Sequence, residues 1–470
     1  MRDTLDLPAI LTPADWAVFV SVLLATFAMV IYGQTRKRRD MDEAASFLDL
    51  MVMGRRLTLP MFVATLVATW YGGIFGVTQI AFDKGVYNFL TQGVFWYATY
   101  ALFALFIVGR LRRYDVLTLP EMVGRMFGPR SEKLAAVFNF MNVIPIVYAI
   151  SLGLFLQALF GGSLPLWIAA GVLGVVLYSF SGGLRAVVFS DMLQFFVMCA
   201  AVFLVLAASV ARFGGLGYLR AHLPASHFAP LGGESWATAL VWGFIALSTL
   251  VDPNFYQRCF AADSERTARR GIWLCLLVWV GFDICTTAGA MYARAAIPGA
   301  DSAQAYLIYA VQILPSGLRG FFLAGILATI LSTLDSYIFL AGTTLAYDLV
   351  PARLKGKVKI HHLGVVSVGV LAVLLSFCFE GNIKEVWKTL GSYSAACLLF
   401  PVLYGHLFPG RLSDLRFVAT CLAGVAAVTY WRLAGHAGFW AQVDDLYAGV
   451  AVTSLCLLCF HLVQAEQPKC

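Results

Sequence analysis

Charge is what this sequence has least of. Only 13% of its 470 residues are Asp, Glu, Lys or Arg, and 60% are hydrophobic; an ordinary soluble domain carries about twice that share of charge. The shortage excludes a large soluble domain. No GxxxxGK[ST] loop is present to cradle phosphate, which argues against ATP-driven pumping by this chain. HExxH and a nucleophile elbow are also missing, so nothing marks an enzyme. The ten cysteines are scattered through apolar segments without the spacing of a disulfide framework. Cys456 and Cys459 form a CxxC inside an apolar run, where packing is the plainer role. His361 and His362, beside Lys359, read as solvated or headgroup contacts rather than metal ligands.

Apolar runs of about 20 residues take the place of charge, and they recur along the whole chain. The pattern predicts an all-α polytopic membrane protein with thirteen spans, near 14–33, 59–82, 87–109, 133–160, 163–181, 185–211, 235–251, 271–294, 319–349, 362–380, 386–408, 414–433 and 444–464. The first run follows an acidic tail and lacks a basic n-region and an A-x-A site, so it reads as a retained helix, not a cleaved signal. The net charge of +7 does not point to nucleic acid, because the basic residues collect in alternate loops. Twenty-four of the 33 lie on one side, including Arg36, Lys37, Arg38, Arg39, Arg112, Arg113, Arg258 and Lys469; nine lie on the other, including Arg2. By the positive-inside rule the N-terminus is outside and the C-terminus cytoplasmic, as in a cytoplasmic (inner) membrane protein. Leu111–Glu132 inside and Pro298–Arg319 outside are long enough for short amphipathic pieces, the second lying along the interface.

Thirteen spans parse into a leading helix with its basic loop (1–58), two five-helix repeats (59–212 and 213–410) and two trailing helices (411–470). Within them, polar residues at membrane depth draw the eye, since lipid cannot satisfy them. In Phe321–Asp348, Thr329, Ser332, Thr333, Ser336 and Thr343 fall within roughly 100° of one helix face, flanked by Asp335. Hydroxyl oxygens suit a hard cation such as Na⁺, and they equally serve to glue helices together. Gly72, Gly73 and Gly76 at the centre of the second span permit an unwound stretch with free carbonyls, or close helix packing. Asp191, close to Arg185 beyond the Gly182–Gly183 turn, is either a partner of that arginine or part of an ion route. Asp283 lies mid-span near Thr286 and Thr287, open to a structural, ion-binding or proton-carrying role. Gly73, Trp242, Phe244 and Tyr393 are candidate solute contacts.

Five segments, in order, resemble the sodium:solute symporter family: ATWYGGIFG (68–76), TLPEMVGRMFG (118–128), SGGLRAVVFSDMLQ (181–194), DPNFYQRCFAADSERTARRG (252–271) and GILATILSTLDS (325–336). The third looks like the family's motif at the start of a helix, the fourth like its cytoplasmic loop and the fifth like its ion-site helix. The resemblance implies a LeuT-like five-plus-five inverted repeat working by alternating access, with Na⁺ as coupling ion and a small organic solute as cargo. It places Na⁺ on the hydroxyls of Ser332 and Thr333, the carbonyl of Thr329 and first-helix carbonyls near Leu66 and Thr69. Asp191 matches an acidic residue on the ion path or at a second Na⁺ site. The chain lacks the Asp that the proline transporters carry in the first core helix, and Gly72 and Gly73 stand where sugar transporters have polar residues, so neither substrate is inherited. H⁺ coupling through Asp335, Asp283 or Asp191, or a transporter-like sensor signalling to a partner, are the alternatives; no protein partner is evident.

Overall fold

A computed structural model describes residues 7–35, 43–111, 114–179, 183–437, 440 and 443–465. Arg2, Arg36, Lys37, Arg38, Arg39, Arg112, Arg113, Gly182 and Lys469 lie outside the described residues. Among the described residues all regular structure is helical, apart from one isolated bridge between Leu57 and Ala262. Ten helical segments among the described residues are long and apolar enough to cross a membrane, two of them interrupted, at Ile144–Pro145 and at Asp252, and they cover ten of the thirteen expected spans. The other three differ for stated reasons. Span 59–82 is two short helices, Leu59–Ala68 and Ile74–Lys84. Leu164–Ser179 has only 16 residues, and Asp414–Leu433 carries Asp414, Arg416 and Arg432.

The break after Ala68 has a visible cause. A Cβ on Gly72 would lie 2.5 Å from the Thr333 Cβ and 2.6 Å from the Tyr148 ring; one on Gly73 would lie 2.3 Å from the Trp387 ring. Only glycine fits both positions, and glycine also weakens the helix there. Unwinding and close packing, separate options in the sequence, are thus one feature.

A second break was not expected. Trp236–Leu247 runs through a short 3-10 turn to Val251, Asp252 adopts an extended conformation (φ −79°, ψ 119°), and Pro253–Ala261 starts a new helix. Proline has no N–H to continue the first segment and holds the residue before it extended. All nine residues of Pro253–Ala261 are buried. The segment 252–271, expected as a cytoplasmic loop, is therefore mostly helix, with only Ala262–Ser264 between this helix and Glu265–Ala296. Arg258 is fully buried and leaves the cytoplasmic charge set. The breaks at Ala68 and at Asp252 stand five spans apart, at corresponding positions of a five-plus-five repeat, where a binding site is expected.

The hydroxyl-bearing helix Leu318–Thr343 is the centre of the bundle. From Phe322 to Thr343 every residue is buried. It packs against Gly183–Phe213, Pro13–Thr35, Val358–Ser376 and Ile146–Phe160. A helix apolar on every side belongs inside, and here its non-stripe faces meet protein. Outer helices instead present Leu24, Leu105, Phe203, Leu374 and Leu462 outward, a surface suited to lipid tails. The two expected amphipathic pieces are both helical. Leu119–Phe127 is capped by Thr118, whose hydroxyl accepts the Glu121 N–H at 3.2 Å. Ala305–Ile313 buries six of its nine residues against neighbouring helices rather than lying along the interface. Arg185 pairs with Asp49, not with Asp191.

Candidate functional site

Thr329, Ser332 and Thr333 stack at i, i+3 and i+4 on the central helix, so their oxygens converge on one face. That face meets the break in the first core helix. Because Leu59–Ala68 stops there, the Ala68 carbonyl is left without a helical N–H. The Ser332 hydroxyl donates to it at 2.7 Å, and Thr333 reaches it at 3.4 Å. Both hydroxyls also reach the Thr329 carbonyl, at 3.2 and 3.1 Å. The Thr329 hydroxyl itself turns back to Gly325 at 2.7 Å, leaving its carbonyl as the group it offers. Ser332, Thr333, Thr329, Leu66 and Thr69 are all fully buried.

The first-helix carbonyl at this face belongs to Ala68, one residue before the Thr69 that the resemblance named. Neither the Ser332 nor the Thr333 hydroxyl hydrogen-bonds to the Leu66 or Thr69 carbonyl. Thr69 donates its hydroxyl to Thr65 O at 2.8 Å and accepts from Asn254 Nδ2 at 3.1 Å, tying the two broken helices together. The donor set at the break is all oxygen, uncharged and shielded from solvent. That chemistry fits a hard monovalent cation.

One turn deeper lies a charged network. Asp191 is fully buried and accepts from the Thr65 hydroxyl at 2.5 Å. Arg258 Nη2 lies 3.9 Å from the same carboxylate, donates to Ser336 Oγ at 2.9 Å and reaches Thr65 Oγ1 at 3.3 Å. Asp335 accepts from Tyr178 at 3.1 Å. The stripe therefore divides: Thr329, Ser332 and Thr333 face the break, Ser336 faces Arg258, and Thr343 contacts His361 Nε2 at 3.2 Å. His361 is buried, so it is no headgroup contact. Asp283 is bound by two phenols, Tyr71 at 2.8 Å and Tyr97, while Thr286 bonds back to its own helix at 3.0 Å.

Beside the break in the first core helix lies a cavity of about 130 Å³. Seven aromatic side chains line it, among them Trp70, Trp96, Tyr148, Trp242 and Trp387. Asp252, at the second break, is the one ionisable carboxylate on its wall, and no Lys, Arg or His lines it among the described residues. Asp252 Oδ1 accepts the Asn254 N–H at 2.7 Å and Oδ2 accepts from Tyr337 at 3.3 Å. Tyr337 in turn packs edge-on against Tyr148, with ring centroids 4.8 Å apart. Gly72 separates this wall from Thr333, so cavity and half-site share a partition one glycine thick.

Of the four candidate solute contacts, Trp242 lines the cavity, and Gly73 stands directly behind the lining Trp387. The other two face the trailing helices. Phe244 packs on Tyr447 with ring centroids 5.8 Å apart, and the Tyr393 hydroxyl contacts Thr429 at 2.9 Å. Asp252 escaped the sequence reading, although Asp-Pro closing an apolar run is a helix-break signal.

Comparison with known proteins agrees with this architecture. Residues 50–411 match the sodium:solute symporter family. The osmoregulated proline transporter OpuE of Bacillus subtilis is 24% identical over 456 residues, covering 89% of each chain. The high-affinity proline transporter PutP of the same organism is 25% identical over 377 residues, 73% of this chain and 78% of its own. A Na⁺-coupled sialic acid symporter, solved in a substrate-bound outward-open state, shares the fold with a TM-score of 0.76 at 17% identity, covering 97% of this chain and 98% of that one. With the family match spanning most of the sequence and the five-plus-five fold in place, the chain belongs to the sodium:solute symporter family.

Proposed function

We propose that this Na⁺-coupled symporter holds its coupling ion between the break in the first core helix and the continuous central helix, on the hydroxyls of Ser332 and Thr333 and the carbonyls of Thr329 and Ala68. The single observation that supports the reading is the approach of the Ser332 and Thr333 hydroxyls to the carbonyl freed at the first break. An ion there joins the central helix to the first core helix and favours the arrangement in which they are close. Solute occupies the aromatic cavity across Gly72. Each ligand then shapes the wall the other uses, so each raises the other's affinity, as symport requires. Residues 59–212 and 213–410 act as the two repeats that rock about this site, and the basic loops set the N-terminus outside. Asp191 is part of the ion route through Thr65, which shares the helix that ends at Ala68.

The test is uptake into proteoliposomes under a Na⁺, K⁺ or pH gradient, using solutes that stabilise the purified protein by mass action. Uptake driven by inward Na⁺ alone is expected. Uptake driven equally by a pH gradient without Na⁺ moves the coupling role to the buried carboxylates and refutes the assignment.

A further inference from the structure

We infer that the solute carries a positively charged, ammonium-type head, held between the Asp252 carboxylate and the aromatic walls of the cavity. The inference rests on reading that cavity as the solute site. Its wall composition is lopsided. Four tryptophans, Trp70, Trp96, Trp242 and Trp387, line it, and the one ionisable carboxylate among them is Asp252. Aromatic faces attract cations through the ring quadrupole, most strongly when the pair is shielded from water. An anionic solute meets a like charge here and no basic side chain among the lining residues. A polyhydroxylated neutral solute would find Gln92, Asn142, Ser248, Thr249 and the tyrosine hydroxyls on this wall, but such a solute leaves the Asp252 carboxylate without a counter-charge.

Charge balance in the core points the same way. Asp191, Asp252, Asp283 and Asp335 are buried at most 9% exposed, and Arg258 is the one buried arginine among the described residues. That guanidinium sits beside Asp191, 3.9 Å away. Carboxylates at this depth need a counter-charge or a proton, and Asp252 is the one that faces the cavity. It is held rigidly, with Oδ1 on the Asn254 N–H and Oδ2 on Tyr337. Asp252 also caps the helix Pro253–Ala261, and capping alone needs no charge, since Asn caps equally well. Asp252→Asn therefore removes the charge while keeping the cap.

The experiment uses the purified full chain in Na⁺ buffer and two probes of matched shape: choline, and its neutral carbon isostere in which tert-butyl replaces trimethylammonium. Quenching of tryptophan fluorescence, to which four of the chain's 11 tryptophans contribute from the cavity wall, reports binding. Choline is expected to bind at least about tenfold more tightly than the isostere. In Asp252→Asn that preference falls to about onefold, and Trp387→Leu lowers it while retaining apolar contact. Equal binding of the two probes, binding of neither, or a preference that survives Asp252→Asn overturns the inference. Thermal stabilisation by Na⁺ is measured on the same samples. If Na⁺ stabilises but the probes do not discriminate, the charge inference fails and the ion reading stands; if choline is preferred but Na⁺ has no effect, the reverse holds.

Discussion

Replacing Arg258 with Met isolates the electrostatics of the core. Met keeps most of the side chain's volume and removes its charge. Arg258 and Asp191 are both fully buried, 3.9 Å apart. At an effective dielectric of about 20, unit charges at that separation attract by about 4 kcal/mol. The guanidinium also holds Ser336 and Thr65 by hydrogen bonds of 2.9 and 3.3 Å. Removing one partner of such a buried pair costs about 3–5 kcal/mol, because the other charge stays buried without compensation. The expected result is a large drop in thermal stability for Arg258→Met and a smaller drop for Arg258→Met/Asp191→Asn, since the double variant buries neither charge. Thermal unfolding of the detergent-purified variants, analysed as a double-mutant cycle, measures this. A loss for Arg258→Met below about 0.5 kcal/mol, the usual range for a surface substitution, refutes the reasoning. So does a double variant whose loss equals the sum of the two singles.

Other perturbations test separate parts of the account. Gly72→Ala forces a methyl to within 2.5 Å of Thr333 and 2.6 Å of Tyr148; overpacking of this kind costs about 1–3 kcal/mol, and uptake should fall together with stability, which a paired melting and transport assay reads. Trp242→Ala should weaken solute binding severalfold in a saturation assay, whereas Phe244→Ala, which loses packing on Tyr447, should change stability and leave the apparent solute affinity within about twofold. Asp49→Asn leaves Arg185 without its carboxylate and should destabilise the protein by about 1–2 kcal/mol, seen as a lower melting midpoint with an unchanged Na⁺ dependence.

The membrane class, most span positions and the hydroxyl face of the central helix were legible because they rest on periodicity and on the cost of polar groups in lipid. The glycine cluster offered the first break as one of two readings, and the structure shows the break together with close packing. The second break was hidden because DPNFYQRC is polar, and hydropathy assigns a polar stretch after an apolar run to a loop. Arg258 is buried beside Asp191, from a helix more than sixty residues earlier, a proximity that no local pattern reveals. The carbonyl that meets the Ser332 and Thr333 hydroxyls is that of Ala68; backbone oxygens have no residue signature, and only the point where the helix stops singles it out. Phe244 and Tyr393 carried the same aromatic signal as Trp242. Their helices are apolar on two sides, so sequence spacing could not separate the face on the cavity from the face on the trailing helices.

Direct binding of radiolabelled Na⁺ to the purified protein tests the central claim most closely, because it needs no knowledge of the solute. Wild type should bind Na⁺ saturably. Ser332→Ala/Thr333→Ala, which removes both hydroxyls beside Ala68 and leaves the helix intact, should raise the half-saturating concentration by at least about tenfold, the equivalent of about 1.4 kcal/mol. An unchanged half-saturating concentration in a variant that melts like wild type would contradict the account.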